Sequence, residues 1–100
     1  MPKEVPLERT IVQSILTYLR SRGAFAEKVH GDAVQSVLLD IIACYRGIFL
    51  HLEAKRPGGK LTPRQKYIIQ RVQDAGGRAY KVESVDDVTS ILDEIDRFIY

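Results

Sequence analysis

The chain has 100 residues and a mass of 11.3 kDa, which is enough for one hydrophobic core and too little for two. Its 45% hydrophobic and 28% charged residues are ordinary for a folded domain and exclude a wholly disordered or collagen-like chain. The net charge of +2, from 15 basic and 13 acidic residues, is too small to identify a nucleic-acid-binding protein by itself. We therefore expect a single domain over residues 1–100.

Two features of the sequence bear on its compartment. No apolar run reaches the length of a membrane-spanning helix, and the first ten residues lack the apolar core of a signal peptide. The single cysteine, Cys44, excludes an internal disulfide and a cysteine-based zinc site. We expect a cytoplasmic protein without a membrane partner.

The first part of the chain predicts a helix followed by a strand. Apolar residues recur at helical spacing from Leu7 onward, and Gly23 is suited to end this helix. The short segment 24–29 predicts a strand, and the polar segment 31–36 predicts a connection.

A β-hairpin is predicted next. The apolar, β-branched segment 37–44 and the alternating segment 48–55 flank Arg46-Gly47, a candidate two-residue turn. We predict two antiparallel strands at these positions.

The last part of the chain predicts a helix, a strand and a helix. Thr62-Pro63 indicates a helix start, Gly76 a helix end, the segment 78–83 a strand, and Ser84 the cap of a final helix. The order α, β, β, β, α, β, α predicts an α/β fold whose last strand is parallel to its neighbour. The second helix carries Ile68, Ile69 and Val72 on one stripe that is expected to face the sheet. The residues of the last helix expected to face the core are Val85, Val88, Ile91, Leu92, Ile95, Phe98 and Ile99.

The hairpin brings two acidic residues together. With a two-residue turn, the residue numbers of each cross-strand pair sum to 93, so Asp40 lies opposite Glu53. Alternation places Lys55 on the same face. Two carboxylates about 5 Å apart repel by roughly 3 kcal/mol at an effective dielectric near 20, so a cation between them is expected.

Two cations satisfy this requirement. Lys55 can pair with either acid as an ordinary structural ion pair. A divalent ion is the alternative, because carboxylate oxygens suit Mg²⁺ or Mn²⁺ and leave positions open for water and a phosphate. In that case Asp40 and Glu53 hold the ion, and Lys55 orients or helps to deprotonate the attacking water.

Basic residues concentrate directly after this site, in a segment from Lys55 to Arg71 that contains no acid. Such a segment is either a solvated face or a surface for phosphate. We favour phosphate, since the segment includes a helix start, where backbone N–H groups attract anions. The expected DNA contacts are Arg56, Lys60, Arg64 and Lys66.

The combination of Asp40 with Glu53-Ala54-Lys55 resembles the signature of the PD-(D/E)XK nuclease superfamily. The segment LEAKRPGGKLTPRQ, residues 52–65, is similar to its VRR-NUC (virus-type replication-repair nuclease) branch, and the similarity continues through residues 75–80 and 84–88. Leu39 departs from the pattern, since the family usually has proline before this aspartate.

The resemblance implies a restriction-endonuclease-like α-β-β-β-α-β core with a mixed central sheet between helices, followed here by a C-terminal helix. It implies hydrolysis of DNA phosphodiesters with Mg²⁺ or Mn²⁺, with selectivity for branched or four-way DNA. It also implies a homodimer or larger homo-oligomer in a bacterial or phage-infected cell.

Site residues follow from the same resemblance. Asp40, Glu53 and the Ala54 carbonyl would be metal ligands, and Lys55 the catalytic lysine. Two further members of the site would be Gln65 from the second helix and Glu8 from the first.

Two of these side chains have other interpretations, and two more residues on the same face of the hairpin are expected to be structural. Gln65 fits a capping box with Thr62, and Glu8 fits a solvated helix-start carboxylate. His51 shares a face with Glu53 but is expected to be a packed histidine, and Cys44 is expected to be buried filler.

Two other functions remain open. One is a catalytically inactive nucleic-acid-binding domain of the same fold. The other is a restriction-type enzyme that reads base sequence, for which a chain of this length has little surface. The apolar end at residues 98–100 is a candidate oligomer contact or the tail of a packed helix.

Overall fold

The structure is a computed structural model that describes residues 6–30 and 39–99. Its helices are α1 Glu8–Ser21, α2 Pro63–Asp74 and α3 Val85–Phe98, and its strands are β1 Phe25–Lys28, β2 Ile41–Tyr45, β3 Ile48–Ala54 and β4 Arg78–Val82. The predicted connection 31–36 and the first two residues of the predicted strand 37–44 lie outside the described residues. No helix in the described part has both the length and the apolar content to cross a membrane.

The four strands form one mixed sheet in the order β1-β2-β3-β4. β1 and β3 pair antiparallel with β2, whereas β3 and β4 are parallel. The parallel pair requires a crossover, and α2 supplies it. The predicted α/β class, element order and mixed sheet are confirmed.

The hairpin between β2 and β3 has the predicted register. Tyr45 pairs with Ile48, and every pair in the ladder keeps the same sum of residue numbers. Arg46 and Gly47 have φ of 52° and 83°, so both residues of the turn are left-handed. Turns of this kind match the twist of the flanking strands and fix a two-residue connection.

The prediction that Asp40 lies within a strand is wrong by one residue. β2 begins at Ile41, and Asp40 precedes it. The Asp40 carbonyl nevertheless accepts a hydrogen bond from the Val29 amide at 2.7 Å, which continues the contact between the first two strands.

The hydrophobic core lies on one face of the sheet. α1 and α3 cover this face, while alternating residues of β2 and β3 point into it. The largest fully buried side chains in the described part are Ile15, Leu19, Leu39, Ile41, Leu50, Leu52, Val82, Val88, Leu92 and Ile95.

The inward face of α3 differs from prediction at one residue. α2 has no fully buried residue, and its stripe of Ile68, Ile69 and Val72 is half-buried where this helix packs beside β4. Phe98 was expected to face the core, but 70% of it is exposed. Ile99, the next residue, packs against the core instead.

Both edges of the sheet carry side-chain caps. On β1, the Arg20 guanidinium donates two hydrogen bonds to the Ala26 carbonyl, at 2.8 and 3.1 Å. On β4, Gln73 Nε2 donates to the Ala79 carbonyl at 2.9 Å. Just beyond β4, the Glu83 amide donates to an Asp87 carboxylate oxygen at 2.7 Å. These contacts occupy backbone groups that would otherwise pair with another strand.

A polar cluster ties the hairpin turn to α1 and α3. Asp96 accepts hydrogen bonds from Arg22 at 2.9 Å, from Arg46 at 2.9 Å and from the Tyr45 hydroxyl at 2.8 Å. Hydrogen bonds from Arg46, Tyr45 and Arg22 hold the pKa of Asp96 below its usual value. The turn that sets the hairpin register is thereby attached to the C-terminal helix.

The turn geometry predicts a stability difference between two substitutions. Gly47→Ala should lower the free energy of unfolding by about 1 kcal/mol, because a left-handed residue with a Cβ is strained. Gly47→Asn should lower it less, since asparagine tolerates this conformation. Urea unfolding of both variants tests this, and equal losses would contradict the assignment of the strain.

Candidate active site

Three acidic residues from three parts of the chain converge at one end of the sheet. Glu8 is the first residue of α1, Asp40 precedes β2, and Glu53 is near the end of β3. One carboxylate oxygen of each lies within 4.8 Å of the others. The structure thus places Glu8 beside the two acids of the hairpin.

Asp40 and Glu53 are opposite each other, as the register predicted. The Asp40 amide donates to Glu53 Oε1 at 3.2 Å. Asp40 Oδ2 is buried and has no hydrogen-bond partner among the described protein atoms. A buried carboxylate oxygen without a partner is costly, so this position favours a bound proton or a bound cation.

Glu53 is the most constrained side chain in the cluster. It is 3% exposed and is the only fully buried charged residue in the described part of the chain. Burial away from water, followed by the hydrogen bond and charge of Asp40, raises the pKa of Glu53 to about 8. The charge of Lys55, whose Nζ lies 3.8 Å from Glu53 Oε2, acts to lower the pKa of Glu53. The cluster therefore favours a bound proton or a bound cation.

The donor atoms of the cluster fit a hard divalent cation. Every side-chain donor is a carboxylate oxygen, which suits Mg²⁺ or Mn²⁺. The Lys55 amide donates to the Val82 carbonyl in β4 at 2.9 Å, so alternation turns the Ala54 carbonyl toward β2. Asp40, Glu53, Glu8 and the Ala54 carbonyl are the groups that would hold such an ion.

A tight turn follows Lys55. The Gly59 amide donates to the Arg56 carbonyl at 2.7 Å, and Gly58 at the third position has φ of 80°. A Cβ on Gly59 would lie 2.9 Å from the Arg56 carbonyl oxygen and 3.3 Å from Lys55 Cβ. The chain therefore turns closely around the lysine backbone, which leaves the Lys55 side chain only 13% exposed.

The turn is anchored by Glu83, a residue that the sequence did not indicate. Its carboxylate accepts from the Gly58 amide at 3.1 Å and pairs with Lys81 at 3.1 Å. Lys81 itself pairs in register with Glu53, so both side chains leave the sheet on the same face. The pattern that places both residues here is the register of a parallel pair, which local sequence spacing does not reveal.

Gln65 makes both of the contacts that its position allows. Its backbone amide donates to Thr62 Oγ1 at 3.1 Å, and its side-chain Oε1 accepts from the Thr62 backbone amide at 2.9 Å. These two hydrogen bonds form a capping box. Its Nε2 donates to Glu53 Oε2 at 3.1 Å. The helix start therefore fixes Gln65, and Gln65 in turn orients the carboxylate of Glu53.

The basic residues predicted to bind DNA lie next to this contact. Arg56 and Lys60 are in the connection after β3, while Arg64 and Lys66 are in the first turn of α2, on either side of Gln65. All four are exposed. Their role as DNA contacts stays a prediction.

His51 lies on the same face of the sheet as Glu53, one row farther from the site. It is half-buried, its Nδ1 has no partner among the described residues, and its ring stands edge-on to Phe49 at 5.2 Å. Burial lowers the pKa of His51. It hydrogen-bonds to none of the acids, in keeping with a packed histidine.

Comparison with solved structures shows that the fold of this chain is similar to that of a known domain. A solved structure of a VRR_NUC domain superposes with a TM-score of 0.74 and 19% sequence identity, over 86% of this chain and 94% of that chain. This chain has the fold of a VRR_NUC domain. Neither the protein-family profiles nor the curated protein sequences match it. The fold that the resemblance predicted is confirmed.

The acid cluster predicts an unusual pH dependence of stability in metal-free protein. The folded-state pKa of Glu53 exceeds its ordinary value of 4.5, so folding favours the protonated form. The free energy of unfolding should therefore decrease as the pH rises from 4.5 through about 8. Urea unfolding in a chelator across this range measures the effect.

Glu53→Gln provides the control, because glutamine keeps the shape and cannot ionise. The decrease in stability should disappear in this variant. Adding Mg²⁺ or Mn²⁺ at the alkaline end should raise the Tm of the wild type and leave Glu53→Gln nearly unchanged. A wild-type stability that is constant or rises with pH over this range would contradict the proposed burial of the charge.

Proposed function

We propose that this chain is a divalent-metal-dependent deoxyribonuclease of the VRR-NUC family, which hydrolyses DNA phosphodiester bonds. The observation that carries the proposal is the buried Glu53, which meets Asp40 and Glu8 beside Lys55 on a VRR_NUC fold. A buried Glu53 beside a half-buried Asp40 with one unpartnered oxygen can bind a cation, and leaving both charges without one is unfavourable.

Each residue of the site has a distinct task. Asp40 and Glu53 hold the ion, with Glu8 and the Ala54 carbonyl as further ligands. When bound, Mg²⁺ or Mn²⁺ stabilises charge on the phosphate and lowers the pKa of a coordinated water. Lys55 orients the attacking water and helps to remove its proton, while Gln65 fixes the orientation of Glu53.

The substrate interface lies on the connection after β3 and the first turn of α2. Arg56, Lys60, Arg64 and Lys66 are exposed there, and α2 presents its N-terminus beside the site. Such contacts bind phosphates without reading bases, so selectivity would come from DNA shape. We propose branched or four-way DNA as the preferred substrate, in a bacterial or phage-infected cytoplasm.

Paired cleavage requires more than one copy. One active site cuts one strand, so cutting a duplex or a junction on two strands needs two sites related by symmetry. We therefore propose that the active form is a homodimer or a larger homo-oligomer.

A nuclease assay tests the assignment of the site. Purified protein with Mg²⁺ or Mn²⁺ should cut four-way and flapped substrates faster than linear duplex. Asp40→Asn and Lys55→Ala should each reduce the rate by about 100-fold or more, since they remove a ligand and the group that acts on the water.

Two matched variants serve as controls for this assay. Asp86→Asn repeats the first change and Arg97→Ala removes a cation, both at exposed positions of α3 outside the acid cluster, and both should retain activity. DNA binding without cleavage under either metal would instead identify a catalytically inactive binding domain. Unchanged cutting by Asp40→Asn and Lys55→Ala would place the active site elsewhere.

Contact between the basic residues and DNA phosphates can be tested by the salt dependence of binding, separately from cleavage. Lys60→Gln and Lys66→Gln should each weaken binding equally for all DNA sequences, and should reduce the slope of log affinity against log salt by about 1. Lys28→Gln, a substitution in β1, should leave the slope unchanged. Fluorescence anisotropy across a salt series measures all three, and identical slopes would exclude these contacts.

A further inference from the structure

α2 carries an exposed aromatic side chain between two arginines. Tyr67 is 55% exposed, and Arg64 and Arg71 lie one turn before it and one turn after it. These three residues line a surface groove of about 280 Å³ together with the half-buried Ile68 and Val72. We call it the α2 groove. The acid cluster and its lysine use neither Tyr67 nor Arg71.

Arg71 holds the ring of Tyr67 in place. Its Nη1 donates a hydrogen bond to the Tyr67 hydroxyl at 3.2 Å, and its Cζ lies 5.8 Å from the ring centroid. The two residues are four apart on the helix, where side chains are neighbours. More than half of Tyr67 nevertheless stays in water. A planar ligand can therefore stack on a ring that is already ordered, which lowers the entropy cost of binding.

The α2 groove faces the sheet and not the edge of β4. Successive residues of a helix are rotated by about 100°, so Arg64, Ile68 and Arg71 lie on one flank of α2 and Gln73 lies on the opposite flank. Gln73 caps the Ala79 carbonyl at the edge of β4. The flank with the groove therefore points away from that edge, toward β3.

Beside this flank lies the face of the sheet that is opposite α1 and α3. Cys44 and Phe49 pair there across β2 and β3. Phe49 is 51% exposed, and Cys44, which was expected to be buried filler, is half-buried. The acid cluster lies where α2 meets this face, because the Gln65 side chain joins the start of the helix to Glu53. A strand that runs along this side of α2 passes the groove and reaches the acids.

Charge selects nucleic acid as the occupant of the groove. The segment from Lys55 to Arg71 contains no acidic residue, and Lys60 and Arg64 lie between its ends. Arg64 and Arg71 are seven residues apart, which is about 10 Å along the helix axis, so one cation lies on each side of the ring. Phosphates require such cations, and an unpaired base stacks on an aromatic face.

Only an unpaired base can stack on Tyr67. In a duplex, neighbouring bases cover both faces of each base, whereas a base in an unpaired strand offers a free face to an aromatic side chain. Tyr67 is about half a turn from Gln65, whose side chain touches Glu53. A base on this ring therefore belongs to the stretch of strand next to the acid cluster.

We propose that Tyr67 is a stacking platform for an unpaired DNA base, in a groove where Arg64 and Arg71 bind the flanking phosphates. The proposal rests on the proposed nuclease function and deepens it, because it specifies a branched DNA with an unpaired strand beside the cleaved bond. Stacking tolerates any base, since every base has a π-face. The platform thus selects unpaired strands without reading their sequence.

A tryptophan reporter tests the stacking directly. The chain has no tryptophan, so Tyr67→Trp introduces a single one into the groove and keeps an aromatic ring there. A single strand of about 12 nucleotides, added in a chelator so that it is not cut, should quench the tryptophan fluorescence. A blunt-ended duplex of the same length should not.

Phe98→Trp is the matched control for this reporter. Phe98 is 70% exposed at the end of α3, outside the groove, so the fluorescence of this variant should not change on addition of DNA. Anisotropy of a labelled strand confirms binding in the same samples. A Tyr67→Trp variant that binds the strand without quenching would overturn the stacking platform.

Affinity provides the second measurement. Tyr67→Leu should reduce the preference for single-stranded over paired DNA by about ten-fold, because it removes one aromatic stack. Tyr67→Phe keeps the ring and should keep the preference, and Phe98→Leu should do so as well. Tyr67 is exposed, so the circular dichroism of its variants should equal that of the wild type. Equal losses of affinity for both kinds of DNA in Tyr67→Leu would contradict base stacking.

These readouts distinguish failure of the stacking platform from failure of the proposed nuclease function. Quenching of Tyr67→Trp by a DNA that the wild type does not cut with either metal would retain the platform and refute the nuclease. Cleavage by a wild type whose Tyr67→Leu variant keeps the same ratio of splayed to paired cutting would retain the nuclease and refute the platform. When both proposals hold, Tyr67→Leu loses the preference for splayed over linear DNA.

Discussion

The organisation of this protein depends on two carboxylates that meet at the end of the sheet, one of them out of water. Asp40 and Glu53 are brought together by a backbone register, and Glu53 is almost fully buried. Such a pair is unfavourable without a positive partner, and one oxygen of Asp40 has no partner among the described atoms. The neighbouring elements serve to hold this pair in place, through the turn of the hairpin, the start of α1 and the cap of α2.

Gln65 shows how the fold connects local structure with the site. A capping box fixes its side chain at the start of α2, and the remaining donor of the same amide reaches Glu53. The helix that carries the exposed cations is thus attached to the acid cluster through one side chain. In this way an ordinary helix start also determines where a phosphate backbone would lie relative to the acids.

The two faces of the sheet have different uses. One face makes the core with α1 and α3, and the Arg22, Tyr45 and Asp96 contacts attach the hairpin turn to that layer. The other face ends in the acid cluster and leaves Phe25 and Phe49 in water. Side-chain hydrogen bonds at both edges occupy backbone groups there and oppose growth of the sheet by an added strand.

The sequence by itself determined the hairpin register and the opposition of Asp40 and Glu53. A two-residue turn fixes which residues pair across the two strands, and the period of two fixes the face on which each side chain lies. It also predicted the order of the elements and the capping box. Tertiary structure alone decided that Glu8 joins the cluster, that Lys81 and Glu83 stand beside it, and that Phe98 is exposed while the sheet stays open. These positions depend on how a helix or a strand packs against parts of the sheet that are distant in sequence. Local residue spacing does not encode that packing.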